Sequence, residues 1–218
     1  MAVITVFGAT GYAGGHITDE ALRRGHEVIA VNRTGSAEAR PGVTPVAGSV
    51  DDAALVADLA AKSDVLVVAV HGSVDGEPFL LPLVPSLLTA AGAGGARLGV
   101  VGGAGSLSVA EGGPRLIDTP GFPDAYKPEA AAHGLVLDAL RSADANAHAD
   151  ADWFYVSPAA EFGAWVPGEH TGTFRLGDDV LLSDAEGRSF ISGADYAVAF
   201  VDEIDKPAHR KARFTVAY

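Results

Sequence analysis

A chain of 218 residues, 48% hydrophobic with 27 glycines, is long enough to bury a sizeable core and is most simply one domain rather than a disordered segment. It has no cysteine, which excludes disulfides, thiolate catalysis and cysteine-bound zinc. With 15 Lys and Arg against 28 Asp and Glu the net charge is −13, the basic residues are scattered, and no apolar run reaches transmembrane length, so neither nucleic acid nor membrane is an expected partner.

The first predicted element is a strand. Val3 to Phe7 is rich in β-branched residues, the pattern of a buried parallel strand. It begins too early to leave room for a signal peptide, and a cytoplasmic location is expected. The strand runs straight into Gly8-Ala9-Thr10-Gly11-Tyr12-Ala13-Gly14. Ile17, Ala21 and Leu22 then recur at helical spacing up to a stop at Gly25. The spacing is G-x-x-G-x-x-G, and the strand before it and the helix after it give the glycines their meaning. Gly8 permits the tight turn. Gly11 lets a pyrophosphate approach the backbone, and Gly14 lets the helix pack on the strand. The helix N-terminus offers free N–H groups and the positive end of its dipole to phosphate. A dinucleotide is the ligand this predicts.

Glu27 to Val31 reads as the second strand, followed by Asn32-Arg33-Thr34. An NAD-selective site carries an acid here for the ribose hydroxyls; this chain carries Arg33, whose guanidinium suits a 2′-phosphate, and Thr34 adds a hydroxyl. NADP(H) is favoured, with NAD(H) the alternative. Val43 to Ala47 is a third strand, placed near an edge by Pro45. Gly48-Ser49-Val50-Asp51-Asp52 turns into a helix reaching about Lys62, with Asp51 either capping it or approaching an adenine ring.

Asp64 to Val70 is an almost continuous apolar strand, the mark of a central position, and ends in His71-Gly72. His71 is read either as a contact to cofactor or substrate, or as a loop histidine. A helix follows, starting near Pro82 or Pro85. Arg97 to Val101 is the fifth strand and runs into Gly102-Gly103-Ala104-Gly105-Ser106-Leu107, where Ser106 sets a hydroxyl beside a nicotinamide. Residues 111–126 form a long loop of the kind that covers an active site. Glu129 to Arg141 is helical, 143–152 a polar connector, and Trp153 to Val156 the sixth strand, ended by Ser157-Pro158. Beyond Pro158 the alternation stops. Short strands are expected at 171–176 and 180–182, joined by Gly177-Asp178-Asp179. A helix is expected over 193–204 and a closing strand over 213–216.

With these residues in view the chain resembles the atypical short-chain dehydrogenase/reductases, in the branch of NAD(P)H-binding NADH-flavin reductases akin to biliverdin reductase B, with NmrA-like relatives. The resemblance rests on residues 8–14, 101–107, 152–158, 167–172, 191–197 and 213–218 and spans nearly the whole chain. It implies an α/β Rossmann fold, a doubly wound parallel sheet forming a single domain over residues 1–218, with 159–192 as a substrate-side extension. The cofactor set it implies is Gly8, Thr10, Gly11, Tyr12, Ala13, Arg33, Thr34, Ser49, Val50, Ala69, Val70, His71, Gly102, Gly103, Ser157 and Pro158, with Ser106 positioning the chemistry and no metal. The partner would be a flat small molecule, a flavin or quinone, and the protein a monomer or homodimer.

No tyrosine is followed four residues later by lysine: His16, Ala130, Ala159 and Phe200 stand after Tyr12, Tyr126, Tyr155 and Tyr196. The proton-transfer pair of typical short-chain dehydrogenases is therefore missing. Where relatives that reduce flavins or biliverdin carry a histidine after the sixth strand, this chain reads Ala159-Ala160-Glu161. Hydride transfer to a flavin needs chiefly stacking and orientation. Phe122, Tyr126, Phe162 and Trp165 are candidates for that stacking, or else loop packing. Two readings follow: a reductase, or a nucleotide-binding regulator of NmrA type. An isomerase is disfavoured by the missing pair.

Overall fold

The computed structural model describes residues 1–143 and 151–218; most of the predicted connector over 143–152 lies outside the described residues. In chain order the elements are β1 (Val3–Phe7), α1 (Tyr12–Arg23), β2 (Glu27–Asn32), β3 (Val43–Ala47), α2 (Ala53–Ala60) and β4 (Val65–Val68). A small hairpin, β5 (Ser73–Val74) and β6 (Glu77–Pro78), precedes α3 (Val84–Gly94) and β7 (Arg97–Val101). Then come α4 (Lys127–Ala143), β8 (Trp153–Ser157), β9 (Arg175–Gly177), α5 (Gly193–Asp205) and β10 (Ala212–Ala217).

Eight strands form one sheet in the order β3-β2-β1-β4-β7-β8-β10-β9. All pairings are parallel but the last, where β9 runs antiparallel to β10. The alternation of side chains along each strand splits the core into two faces. Leu66, Val68, Leu98, Val100, Trp153 and Tyr155 meet α2, α3 and α4. Val65, Val67, Phe154, Val156, Phe214 and Val216 meet α1 and α5. The sheet is thus the doubly wound Rossmann type predicted. Strand order reverses between β1 and β4, and in such sheets the crevice at that point, at the carboxyl ends of the strands, binds the ligand.

Local chemistry explains the boundaries. Pro45 is accommodated because β3 is an edge strand. Pro82 lies in a 3₁₀ turn over Leu81–Leu83, and Pro85 falls in the first turn of α3, where a missing N–H costs nothing. Asp52, not Asp51, caps α2. It precedes the first helical residue, its backbone is extended, and its carboxylate accepts from the N–H groups of Ala54 and Leu55.

Three other expectations change. The hairpin over 171–182 does not form: only Arg175–Gly177 is a strand, recruited by β10, while Val180 bridges to Ser108. Helix α4 starts two residues before Glu129 because Pro128 sits in its first turn. The hairpin β5–β6 was not anticipated; Asp75 and Gly76 adopt φ of 52° and 83° at its turn. Within the 111–126 loop, 3₁₀ turns form over Leu116–Asp118 and Asp124–Tyr126.

Candidate functional site

Every predicted cofactor segment lies just beyond the carboxyl end of a parallel strand. Gly8 to Ala13 follow β1, Arg33 and Thr34 follow β2, and Ser49 and Val50 follow β3. Ala69, Val70 and His71 follow β4, Gly102 and Gly103 follow β7, and Ser157 and Pro158 end β8. Topology alone brings them to one edge of the sheet.

The glycine turn is the centre of that edge. Gly8 has φ +84°, and its N–H donates to the Val31 carbonyl at 3.0 Å. The Gly11 N–H donates back to the Gly8 carbonyl at 2.9 Å, closing the turn. Gly11 is the N-cap of α1 and supplies no side-chain cap, so the first N–H groups of the helix stay open to a phosphate. Thr10 is exposed at the rim. Tyr12 has a structural task as well. Its hydroxyl accepts from the Gly193 N–H at 3.0 Å and donates to the Pro167 carbonyl at 3.3 Å, tying α1 to α5 and to the loop beyond β8.

At the end of β2, Asn32 orders the loop. Its side-chain carbonyl accepts from the Ser36 N–H at 3.0 Å, and its amide donates to Ser36 Oγ and Thr10 Oγ1. Thr34 Oγ1 donates to Ser36 Oγ at 2.8 Å. Arg33 is exposed and makes no ion pair or hydrogen bond with any described residue. The arginines elsewhere on this acidic surface commonly meet carboxylates, as Arg24 does with Glu20 and Arg40 with Asp19. Ser49 is half-buried, and Val50 is buried against α2.

Beyond β7 the chain is braced from below. The Gly103 N–H donates to the Tyr155 hydroxyl at 3.1 Å, which donates in turn to the His133 carbonyl. Burial pushes the Tyr155 phenol far up, so it is a neutral strut. Ser157 Oγ donates to the Gly103 carbonyl at 3.0 Å. Ser106 stands slightly apart from this row. Its hydroxyl accepts from buried Arg213 at 3.1 Å, and Arg213 also grips Asp179. Ser106 lines a cavity of about 220 Å³ with Ser108, Arg115, Arg141 and Asp179.

Two acids hold loops over this edge. The Glu129 carboxylate accepts from the N–H groups of Gly72 and Ser73 at 2.9 Å each and from Ser73 Oγ at 2.7 Å. It also meets His71 Nδ1 at 3.3 Å and His133 Nε2 at 3.2 Å. Burial raises its pKa, but the bonds from His133, Ser73 and Gly72 outweigh burial and hold it well below the usual range. Asp195, fully buried, accepts from the N–H groups of Thr171 and Gly172 and from the hydroxyls of Thr171 and Tyr218, with His170 Nδ1 at 2.7 Å. Nothing in the sequence marks Glu129, Arg213 or Asp195 as organisers of the site. Only the Ser-x-x-Asp spacing of Ser192 and Asp195, a helix-cap pattern, was visible there.

Of the aromatic candidates, Phe162 packs between Tyr12 and Tyr196, at ring-centroid distances of 5.3 and 4.6 Å, half-buried against the core. Phe122 is half-buried. Trp165 is 64% exposed and Tyr126 is 55% exposed. They lie on the loops that leave the carboxyl ends of β8 and β7.

A doubly wound sheet with an open glycine turn at its strand reversal defines a dinucleotide-binding protein. The family model described as NAD(P)H-binding matches residues 8–207, and the chain belongs to that family, an atypical short-chain dehydrogenase/reductase-like group. It is 39% identical over 216 residues to the uncharacterized protein YwnB of Bacillus subtilis (strain 168), covering 98% of this chain and 97% of that one. A crystal structure titled "putative exported protein" from Burkholderia pseudomallei is 40% identical, with a TM-score of 0.85 and full coverage of both chains. One titled "putative NADH-flavin reductase" from Streptococcus pneumoniae TIGR4 is 34% identical, with a TM-score of 0.81, covering 100% of this chain and 99% of that one. Among the described residues no helix is long and apolar enough to cross a membrane.

Proposed function

We propose that this chain is an NADPH-preferring reductase that passes hydride from the nicotinamide to a flavin, a quinone or a similar flat acceptor. The observation that carries the reading is Arg33, exposed and unpaired among the described residues at the end of β2, where no acid stands to hold a ribose 2′-hydroxyl. In the reading the pyrophosphate lies on Gly11, Tyr12 and Ala13 with Thr10 at the rim. The adenosine end meets Arg33, Thr34, Ser49 and Val50. The nicotinamide end meets Ala69, Val70, His71, Gly102, Gly103, Ser157 and Pro158.

When bound, the cofactor supplies the hydride; the chain orients both reactants and excludes water. Exposed Trp165 and Tyr126 offer the ring faces a flat acceptor needs, and the segment 159–192 forms the acceptor side of the cleft. Ser106 accepts a hydrogen bond from Arg213, which leaves its own proton to be donated outward. In this reading it orients a polar edge of the acceptor or the carboxamide. The same reading puts the protein in the cytoplasm, with access to reduced nicotinamide.

A second reading, an NADP-binding regulator, draws on one observation. Tyr155 and Tyr196 are fully buried and donate to main-chain carbonyls, and the sequence holds no Tyr-x-x-x-Lys pair. Steady-state oxidation of NADPH with FMN, FAD and simple quinones separates the two. A reductase turns over with at least one acceptor, whereas a regulator binds NADPH and oxidises nothing.

A further inference from the structure

We propose that His71, oriented by Glu129, is the proton donor to the acceptor, the role left empty by the missing tyrosine and lysine. The inference rests on the reductase reading and adds a catalytic residue to the same site.

The geometry comes from three elements. His71 follows β4, one strand from the glycine turn, with its side chain 85% exposed. Its Nδ1 faces Glu129 Oε1 at 3.3 Å. Glu129 is fixed by the N–H groups of Gly72 and Ser73 and by the Ser73 hydroxyl, so an ionised, immobile carboxylate faces the imidazole. A carboxylate only accepts, so Nδ1 carries a proton and the outward Nε2 is left for the acceptor. Paired acid and imidazole, one orienting the other, is the arrangement general acid–base catalysis uses.

His133 joins the two strand ends. It is buried, and its Nε2 meets the same Glu129 oxygen at 3.2 Å. A Cβ on Gly72 would stand 3.0 Å from its ring, and one on Gly103 3.3 Å from its Cβ. His71-Gly72 and Gly102-Gly103 therefore rest on one side chain, which brings His71 beside the turn assigned to the nicotinamide. The Nδ1 of His133 is buried with no hydrogen-bond partner among the described residues, and its Nε2 shares Glu129 Oε1 with His71, so a single carboxylate links the exposed histidine to a buried one. Among the described residues Glu129 of α4 meets His71 directly and His133 of α4 reaches it through the same carboxylate oxygen; Tyr155 of β8 donates to the His133 carbonyl behind them.

The step balances as a two-electron reduction. Hydride leaves the dihydronicotinamide and forms a bond to the acceptor, and the acceptor heteroatom that gains the electron pair takes the proton from His71 Nε2. Oxidised cofactor, reduced acceptor and neutral imidazole result, and the exposed ring regains its proton from water.

His209, paired with Glu203 at 2.7 Å, stands just before β10, at the amino-terminal edge of the sheet and so opposite the strand ends that carry His71, and serves as the control. The experiment is a kcat–pH profile with NADPH and the best acceptor for wild type, His71→Asn, Glu129→Gln and His209→Asn, with ¹⁵N NMR of the His71 ring in the wild type. Wild-type kcat should rise towards low pH. His71→Asn should lose that limb and roughly a hundredfold in kcat. Glu129→Gln should lower kcat and leave the KM for NADPH unchanged, a split that loss of stability alone does not give. His209→Asn should keep the wild-type limb. The NMR spectrum should show the Nδ1–H tautomer in neutral His71. A His71→Asn profile with the wild-type limb, or an Nε2–H tautomer, overturns the proposal. Absence of turnover in the wild type with the Nδ1–H signature intact overturns the reductase reading instead, and the donor role with it.

Discussion

A Cβ on Gly14 would collide with the carbonyl oxygen of Gly8, so the first turn of α1 rests directly on the main chain of the turn below it. Gly11, between them, is different: a Cβ there would stand 3.2 Å from the same oxygen, with no other neighbour within 4 Å. The two glycines therefore separate folding from binding. Gly14→Ala should destabilise the protein by about 1–3 kcal/mol through overpacking. Gly11→Val should fold and lose NADPH, because its side chain would fill the pyrophosphate's place. Thermal melts with calorimetry on both variants check this; undiminished NADPH affinity in Gly11→Val would remove the site.

Arg33 decides cofactor choice in this account. Losing a charge-assisted contact costs about 1.5–3 kcal/mol, or roughly 10- to 150-fold in affinity. Arg33→Ala should weaken NADPH by that factor and leave NADH nearly unchanged. Equal binding of both cofactors by the wild type would contradict the argument from the missing acid.

Asp195 makes the 167–173 loop pH-dependent. Burial pushes its carboxyl up, but the bonds from Tyr218, Thr171 and Gly172 hold it down at about 2. The unfolded chain titrates near about 3.9. A folded-state pKa below the unfolded one stabilises the fold above pH ~4, and that contribution is lost as pH falls from about 4 towards 2. Asp195→Asn should cost about 1–3 kcal/mol at neutral pH and flatten the stability curve in that window. Denaturant melts between pH 2 and 7 measure both effects.

The fold was legible because its signals are local. Val3–Phe7, Val43–Ala47 and Arg97–Val101 match their predicted bounds, since apolar β-branched runs bounded by turns leave little choice. The hairpin at Asp75-Gly76 carries a turn signal of its own, but strands of two residues are too short to show an alternation. Strand β9 was placed by β10, some forty residues later, which no local pattern encodes. The site divided the same way. Its strand-end positions followed from topology, but Glu129, Asp195 and Arg213 act on Ser73, Thr171 and Ser106, which stand 56, 24 and 107 positions away, and nothing in their own neighbourhoods announces those partners.

Ser106 should position rather than protonate, since its hydroxyl is gripped by Arg213, a permanent cation that supplies no proton. Ser106→Ala should lower kcat on the order of tenfold, about 1.4 kcal/mol of transition-state stabilisation, and leave NADPH affinity intact. Complete loss of turnover with binding retained would give Ser106 a chemical role.

The account stands most directly on one measurement, the initial rate of NADPH oxidation by the purified protein with FMN, FAD and simple quinones, repeated with NADH. It predicts saturable, acceptor-dependent oxidation with a higher kcat/KM for NADPH than for NADH. Tight NADPH binding with no oxidation by any of these acceptors would contradict it and leave the regulator.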